Sequence, residues 1–223
     1  MNWKKNYRSF YYKYTNDPED IKLVANETAH LVIDVQKTYL LPKNNKKENK
    51  EWEPFFLRMK ETVIPNIKKL LELNRQVNIE NIFARIACLK NDGSDRSLSQ
   101  KKPGFNYLLM PKNTDESQIV SELKPLKDDV EILKTTDSAL TGTNLRLILN
   151  NMGIKNVICS GIFTDQCVSS TVRSLADESF NVIVIEDCCA AATKELHNHE
   201  LEIINMIYCN VIQLSDLESM IVN

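Results

Sequence analysis

Three residues in this 223-residue chain are of types that do chemistry, and each stands where chemistry is commonly placed. Asp34 ends the apolar run Leu31-Val32-Ile33, and Lys134 ends Val130-Glu131-Ile132-Leu133. Cys167 follows Val157-Ile158-Cys159-Ser160-Gly161-Ile162, in the first turn of a helix expected to begin near Thr164. Alone, each has an ordinary reading: an aspartate capping a turn, a solvated lysine, a buried cysteine acting as a small hydrophobe. Together they supply a base, a cation and a nucleophile. Unpaired N–H groups and the positive end of a helix dipole stabilise a thiolate. A nearby ammonium lowers the thiol pKa further, and a carboxylate can take the thiol proton as substrate arrives. The chain has three histidines. His197 and His199 are two apart and fall on different faces of a helix, so neither suggests a Cys–His dyad or a ligand pair.

The elements that must position these residues alternate along the chain. Strands are expected at 29–35, 81–87, 129–134, 156–162, 181–186 and 209–214. Their near-continuous apolar composition implies burial on both faces, as in parallel strands covered by helices. Helices are expected at 54–75, 142–152, 164–179 and 193–207, each with apolar residues three and four apart. Gly153, after Leu149-Asn150-Asn151-Met152, reads as a helix C-cap. The alternation predicts a single α/β domain with a doubly wound parallel sheet. Ligands collect at the carboxyl ends of such strands, where Asp34, Lys134 and Cys167 fall. Residues 1–28 form an N-terminal arm with scattered tyrosines, followed by the main domain at 29–223. The polar run 43–51 reads as a solvated loop.

Composition limits the alternatives. At 43% hydrophobic and 26% charged, the chain has the make-up of an ordinary globular protein. A formal net charge of −2 gives no electrostatic reason to expect nucleic acid or a membrane surface as partner. No apolar run reaches the length of a membrane span, and no apolar stretch follows the charged first residues as a secretory signal would require. The six cysteines lie mostly in apolar runs without C-x-x-C spacing, which suits reduced thiols in a cytoplasmic protein.

Three stretches carry a resemblance. Asp34-Val35-Gln36, Lys134-Thr135-Thr136-Asp137-Ser138-Ala139-Leu140-Thr141-Gly142-Thr143-Asn144-Leu145 and Gly161-Ile162-Phe163-Thr164-Asp165-Gln166-Cys167-Val168 resemble the isochorismatase-like cysteine hydrolases. The likeness continues through Glu186-Asp187-Cys188-Cys189-Ala190-Ala191, covering roughly 28–214. It implies a Rossmann-like six-stranded parallel sheet with helices on both faces, and a catalytic Asp34, Lys134 and Cys167. It also implies a cis peptide at Ile162–Phe163 that aims the Phe163 and Cys167 N–H groups at an oxyanion. A homodimer or homotetramer acting on a small molecule is expected. Nicotinamidases of the family bind a metal through histidines, and none lies between Asp34 and Lys134, so no metal or other cofactor is expected. Retention of Cys167 points to amide or ureide hydrolysis, leaning to the biuret and ureide branch, rather than to vinyl-ether cleavage as in true isochorismatases. Those, and a non-catalytic binding module of the same fold, are the alternatives. For the substrate pocket, the sequence offers Gln36 and Tyr39 beside Asp34, and Arg85 or Arg96 as partners for a substrate carboxylate.

Overall fold

The apolar runs assemble into one all-parallel sheet. The computed structural model describes residues 4–222. Its strands are β1 (Leu23–Val24), β2 (Thr28–Ile33), β3 (Glu80–Ile86), β4 (Val130–Lys134), β5 (Asn156–Ile162), β6 (Asn181–Ala190), β7 (Asn210–Ile212) and β8 (Ile221–Val222). Six of them form the main sheet in the order β4-β3-β2-β5-β6-β7. The chain winds outward from β2 to β4, then returns to lay β5 against the other side of β2. The order therefore reverses between β2 and β5, where an open α/β sheet leaves a crevice at its carboxyl edge.

The helices are α1 (Lys46–Arg58), α2 (Ile64–Val77), α3 (Leu98–Lys101), α4 (Leu145–Asn151), α5 (Ser169–Asp177), α6 (Lys194–Ile204) and α7 (Leu214–Leu217). Every residue of β2 is buried, because its alternating side chains feed two cores. Val32 joins Phe55, Met59, Ile67, Leu70 and Leu217 from α1, α2 and α7 and the turn between α1 and α2. Leu31 and Ile33 join Leu145, Leu149, Val172, Leu175, Leu201 and Ile204 from α4, α5 and α6. The expected doubly wound architecture is thus observed, with helices on both faces. Gly153 has φ +70° just past the end of α4, as its place in the sequence predicts.

One expectation changes. The polar run 43–51 is largely helical: α1 starts at Lys46, eight residues before the expected helix. Asn45 caps it, its Oδ1 accepting the Glu48 N–H at 2.7 Å and its Nδ2 donating to Glu48 Oε2 at 3.1 Å. These first turns have no apolar face of their own and are held by Trp52 and Phe55 further along. A wide π-helical turn at Met59–Val63 joins α1 to α2. Pro65 lacks an N–H and its ring crowds the carbonyl four residues back, which a wider turn accommodates. Residues of the N-terminal arm contact the core of the same chain. The backbone oxygens of Asn6 and Tyr7 accept from Asn205 Nδ2, and β1 pairs with β8 in a separate two-stranded parallel sheet that the sequence pattern did not indicate.

Gly161 of β5 lies directly against Ile33 of β2. Its φ is +116°, and a Cβ there would lie 2.0 Å from the Ile33 carbonyl oxygen. Only glycine fits. The next peptide, Ile162–Phe163, is cis.

Candidate active site

Asp34 is placed by a break in β2. The strand ends at Ile33, and Asp34 takes φ +53°, a left-handed conformation that aspartate tolerates better than most residues. Its N–H still donates to Ala84 O at 2.9 Å, so the turn remains anchored to β3. Lys134 is the last residue of β4, and the N–H of Ala87 donates to its carbonyl at 3.0 Å. Its side chain returns under the sheet edge, and Nζ donates to Asp34 Oδ2 at 2.6 Å and to Thr136 O at 3.1 Å. Both residues are 1% exposed. Among the described residues, the buried Asp34 Oδ1 has no partner within ordinary hydrogen-bond geometry.

Cys167 lies on a π-helical turn, Thr164–Val168, that leads into α5. Thr171 Oγ1 donates to Cys167 O at 2.7 Å and accepts the Ala139 N–H at 3.0 Å, tying the nucleophile turn to the loop after Lys134. The thiol is 6% exposed and points to Asp137 Oδ1 at 3.6 Å. The structure therefore brings Asp34, Lys134 and Cys167 to one buried spot.

Burial and the neighbouring charges act on all three groups. Burial raises the Cys167 pKa well above 9.0, and the charge of Asp34 adds to this while Lys134 only partly offsets it. Burial also raises the Asp34 carboxyl above its usual 3.8, against the pull of Lys134. Burial would lower Lys134, but Asp34 and Cys167 outweigh it, and the ammonium is held above 10.5. Lys134 Nζ and Asp34 Oδ2, 2.6 Å apart, form a buried ion pair beside the Cys167 thiol.

The candidate substrate residues divide. Tyr39 faces the site: burial of its phenol, with the charges of Asp34, Cys167 and Asp137, raises its pKa well above 10.0, and its ring meets Phe163 edge-on at 5.4 Å. Gln36 does not reach the site. Its Nε2 donates to Ile86 O at 2.9 Å and Ser117 O at 2.7 Å, and its Oε1 accepts the Ile86 N–H at 3.0 Å, extending the β2–β3 ladder with a side chain. Arg85 is turned away as well, donating to Lys112 O and Ser117 O at 3.2 Å, with Glu131 3.7 Å from its Nε. Arg96 donates to Leu108 O and lies over Tyr107, holding one surface loop to another. The arginines are consumed by structure.

Other residues enter that the sequence reading did not single out. Asp137 accepts from both Cys167 and Gln100 Nε2, the latter at 2.5 Å. Trp52 from α1 and Phe105 stack at 5.7 Å, and both meet the ring of Phe163. His197 supports the nucleophile turn from behind: its Nδ1 is 2.8 Å from Thr164 Oγ1 and its Nε2 3.1 Å from Arg58. Among the described residues, no three His, Cys, Asp or Glu side chains converge as a metal site, and no helix is long and apolar enough to cross a membrane.

Comparison with known proteins identifies the family. The family model described as "Isochorismatase domain" matches residues 28–216. The chain belongs to the isochorismatase family. Among its relatives, ureidoacrylate amidohydrolase RutB of Agrobacterium fabrum is 28% identical over 183 residues, covering 76% of this chain and 78% of that protein. A probable inactive nicotinamidase of Arabidopsis thaliana is 30% identical over 174 residues, covering 76% of this chain and 84% of that protein. A crystal structure of a cysteine hydrolase from Pseudomonas syringae pv. phaseolicola superposes with a TM-score of 0.75 at 20% identity, covering 91% of this chain and 97% of that one. At that identity the likeness speaks to the fold.

Proposed function

We propose that this isochorismatase-family chain is a cysteine hydrolase that cleaves a C–N bond of a small amide or ureide through a thioester-type intermediate. The observation that carries the reading is the convergence of Cys167 with the buried Asp34–Lys134 pair. A carboxylate whose proton affinity is raised by burial is a competent acceptor for the thiol proton once a substrate carbonyl displaces water from the site. Lys134 keeps the pair's ionic form and supplies the cation for the developing thiolate.

The thiolate then attacks the carbonyl, and the Phe163 and Cys167 N–H groups receive the oxyanion. Protonated Asp34 passes its proton to the departing nitrogen, releasing ammonia or an amine. The same carboxylate next activates the water that hydrolyses the intermediate. An amide yields an acid; a ureide yields a carbamate that loses carbon dioxide. The ureide preference is supported by the relative named as a ureidoacrylate amidohydrolase. Vinyl-ether cleavage needs protonation at carbon, to which a thiol contributes little.

An ammonia-release screen over small amides and ureides tests the proposal, with isochorismate and nicotinamide as controls. Turnover of an amide or ureide by the wild type and its loss in Cys167→Ala are expected. Isochorismate as the best substrate, with Cys167→Ala still active, would overturn the reading. No turnover of any compound would leave a binding module.

A further inference from the structure

The arginines that the sequence offered for a substrate carboxylate are engaged elsewhere, yet the cleft beside the site has a cation. This cleft, of about 460 Å³, is lined by the aromatic residues Tyr39, Trp52 and Phe105 and by the polar residues Lys43, Asn44 and Glu48, among others. That volume suits a small molecule. The same three aromatic rings touch Phe163, so the cleft adjoins the residue next to the nucleophile turn.

Lys43 is held in place by its backbone: its N–H donates to Asn49 Oδ1 at 2.7 Å, and Asn49 Nδ2 donates to its carbonyl at 2.6 Å. The side chain lies over Trp52, with Nζ 4.1 Å from the ring centre and 5.9 Å from that of Phe105. Among the described residues it forms no ion pair. Glu48 lines the same cleft but is committed to the start of α1, where Asn45 donates to it and the helix dipole favours its charge. Burial pulls the ammonium's pKa down, with Glu48 opposing, so this cation has lost hydration without gaining a direct carboxylate partner. Ring faces replace only part of that hydration, and an arriving anion can form a charge-assisted hydrogen bond with it.

We propose that Lys43 binds the carboxylate of the substrate, so that short amido or ureido acids are preferred to neutral amides of the same length. This rests on the hydrolase reading for the position of the scissile carbonyl, but not for the binding of the anion. The aromatic lining of the cleft receives the chain between the two ends. Lys43 acts through binding, and its charge should be expressed mainly in KM.

The test compares 3-ureidopropionate with n-propylurea, which keeps the ureido group and chain length but lacks the carboxylate. Hydrolysis is measured with the wild type, Lys43→Met, Lys43→Arg and Glu48→Gln, and binding by calorimetry on Cys167→Ala with and without Lys43→Met. Lys43→Met retains the apolar cover over Trp52 and removes only the charge. It should raise KM for 3-ureidopropionate about tenfold or more, the effect of losing one charge-assisted bond, while leaving n-propylurea unchanged. Lys43→Arg should retain most of the preference, and Glu48→Gln should strengthen it. Equal treatment of the two compounds by the wild type, or an equal loss for both in Lys43→Met, would overturn the proposal while leaving hydrolysis intact. Lys43-dependent binding of 3-ureidopropionate without ammonia release from any compound would support the anion site and sink the hydrolase reading instead.

Discussion

Removing one member of the Asp34–Lys134 pair should cost much more stability than removing both. Asp34→Asn preserves the left-handed turn, because asparagine tolerates it as aspartate does. It leaves the Lys134 ammonium buried without a carboxylate partner, donating to Thr136 O at 3.1 Å. Breaking a buried ion pair costs about 3–5 kcal/mol. With a urea slope of about 3 kcal/mol/M, the unfolding midpoint should fall by roughly 1–1.7 M. Lys134→Met strips the buried Asp34 of the cation on its Oδ2. Here the carboxyl can escape by protonating, and its pKa, already raised by burial, should rise further. A group whose pKa is raised on folding gives stability that is present below the unfolded value and lost as pH rises through the folded value. Lys134→Met should therefore be more stable at pH 5 than at pH 8. The double variant Asp34→Asn/Lys134→Met removes both charges and should return to within about 1–2 kcal/mol of the wild type, giving a coupling energy of several kcal/mol. Urea unfolding at two pH values reads all four proteins. Single variants costing less than about 1 kcal/mol, or costs that simply add, would refute a tight buried pair.

Three other outcomes follow from the same geometry. Gly161→Ala should destabilise the fold by more than about 4 kcal/mol, since its Cβ would strike the Ile33 carbonyl at 2.0 Å and its φ of +116° is closed to alanine. Near-wild-type urea unfolding would contradict that packing. The pH profile of kcat/KM should have an acid limb above the usual carboxylate value of 3.8, activity falling as pH drops through the raised Asp34 pKa, and no loss from Lys134 below 10.5. An acid limb at or below 3.8 would remove Asp34 as the proton acceptor. Extended dialysis against a strong chelator should leave the rate unchanged; loss of activity restored by zinc, iron or manganese would show that a metal takes part.

Burial on both faces is written into composition, so the β2, β3, β5 and β6 runs and their order of alternation with helices could be read directly. The chemistry-bearing ends could be read for a related reason: a charged residue closing an apolar strand has few ordinary explanations when three occur together. Direction could not be read. Gln36, Arg85 and Arg96 lie near the expected edge in sequence, but where a long side chain points depends on which carbonyls are left unpaired around it. Gln36 and Arg85 both turn to Ser117, far away in the chain. The start of α1 was hidden because a solvated helix turn has no apolar period, and its capping pair Asn45 and Glu48 sat inside a run rich in lysine and asparagine. Lys43 and Trp52 were concealed with it. Asp137 stood within the recognised stretch, three residues after Lys134, but its contact with Cys167 depends on the fold of the intervening loop.

The most direct test of the account is acid-quenched mass spectrometry of the wild-type protein mixed with a slowly hydrolysed amide or ureide. The account predicts a transient acyl or carbamoyl adduct on the peptide containing Cys167, formed as ammonia or amine is released and absent from Cys167→Ser. Turnover without any adduct when hydrolysis of the intermediate is slowed, or an adduct on one of the other five cysteines, would contradict it.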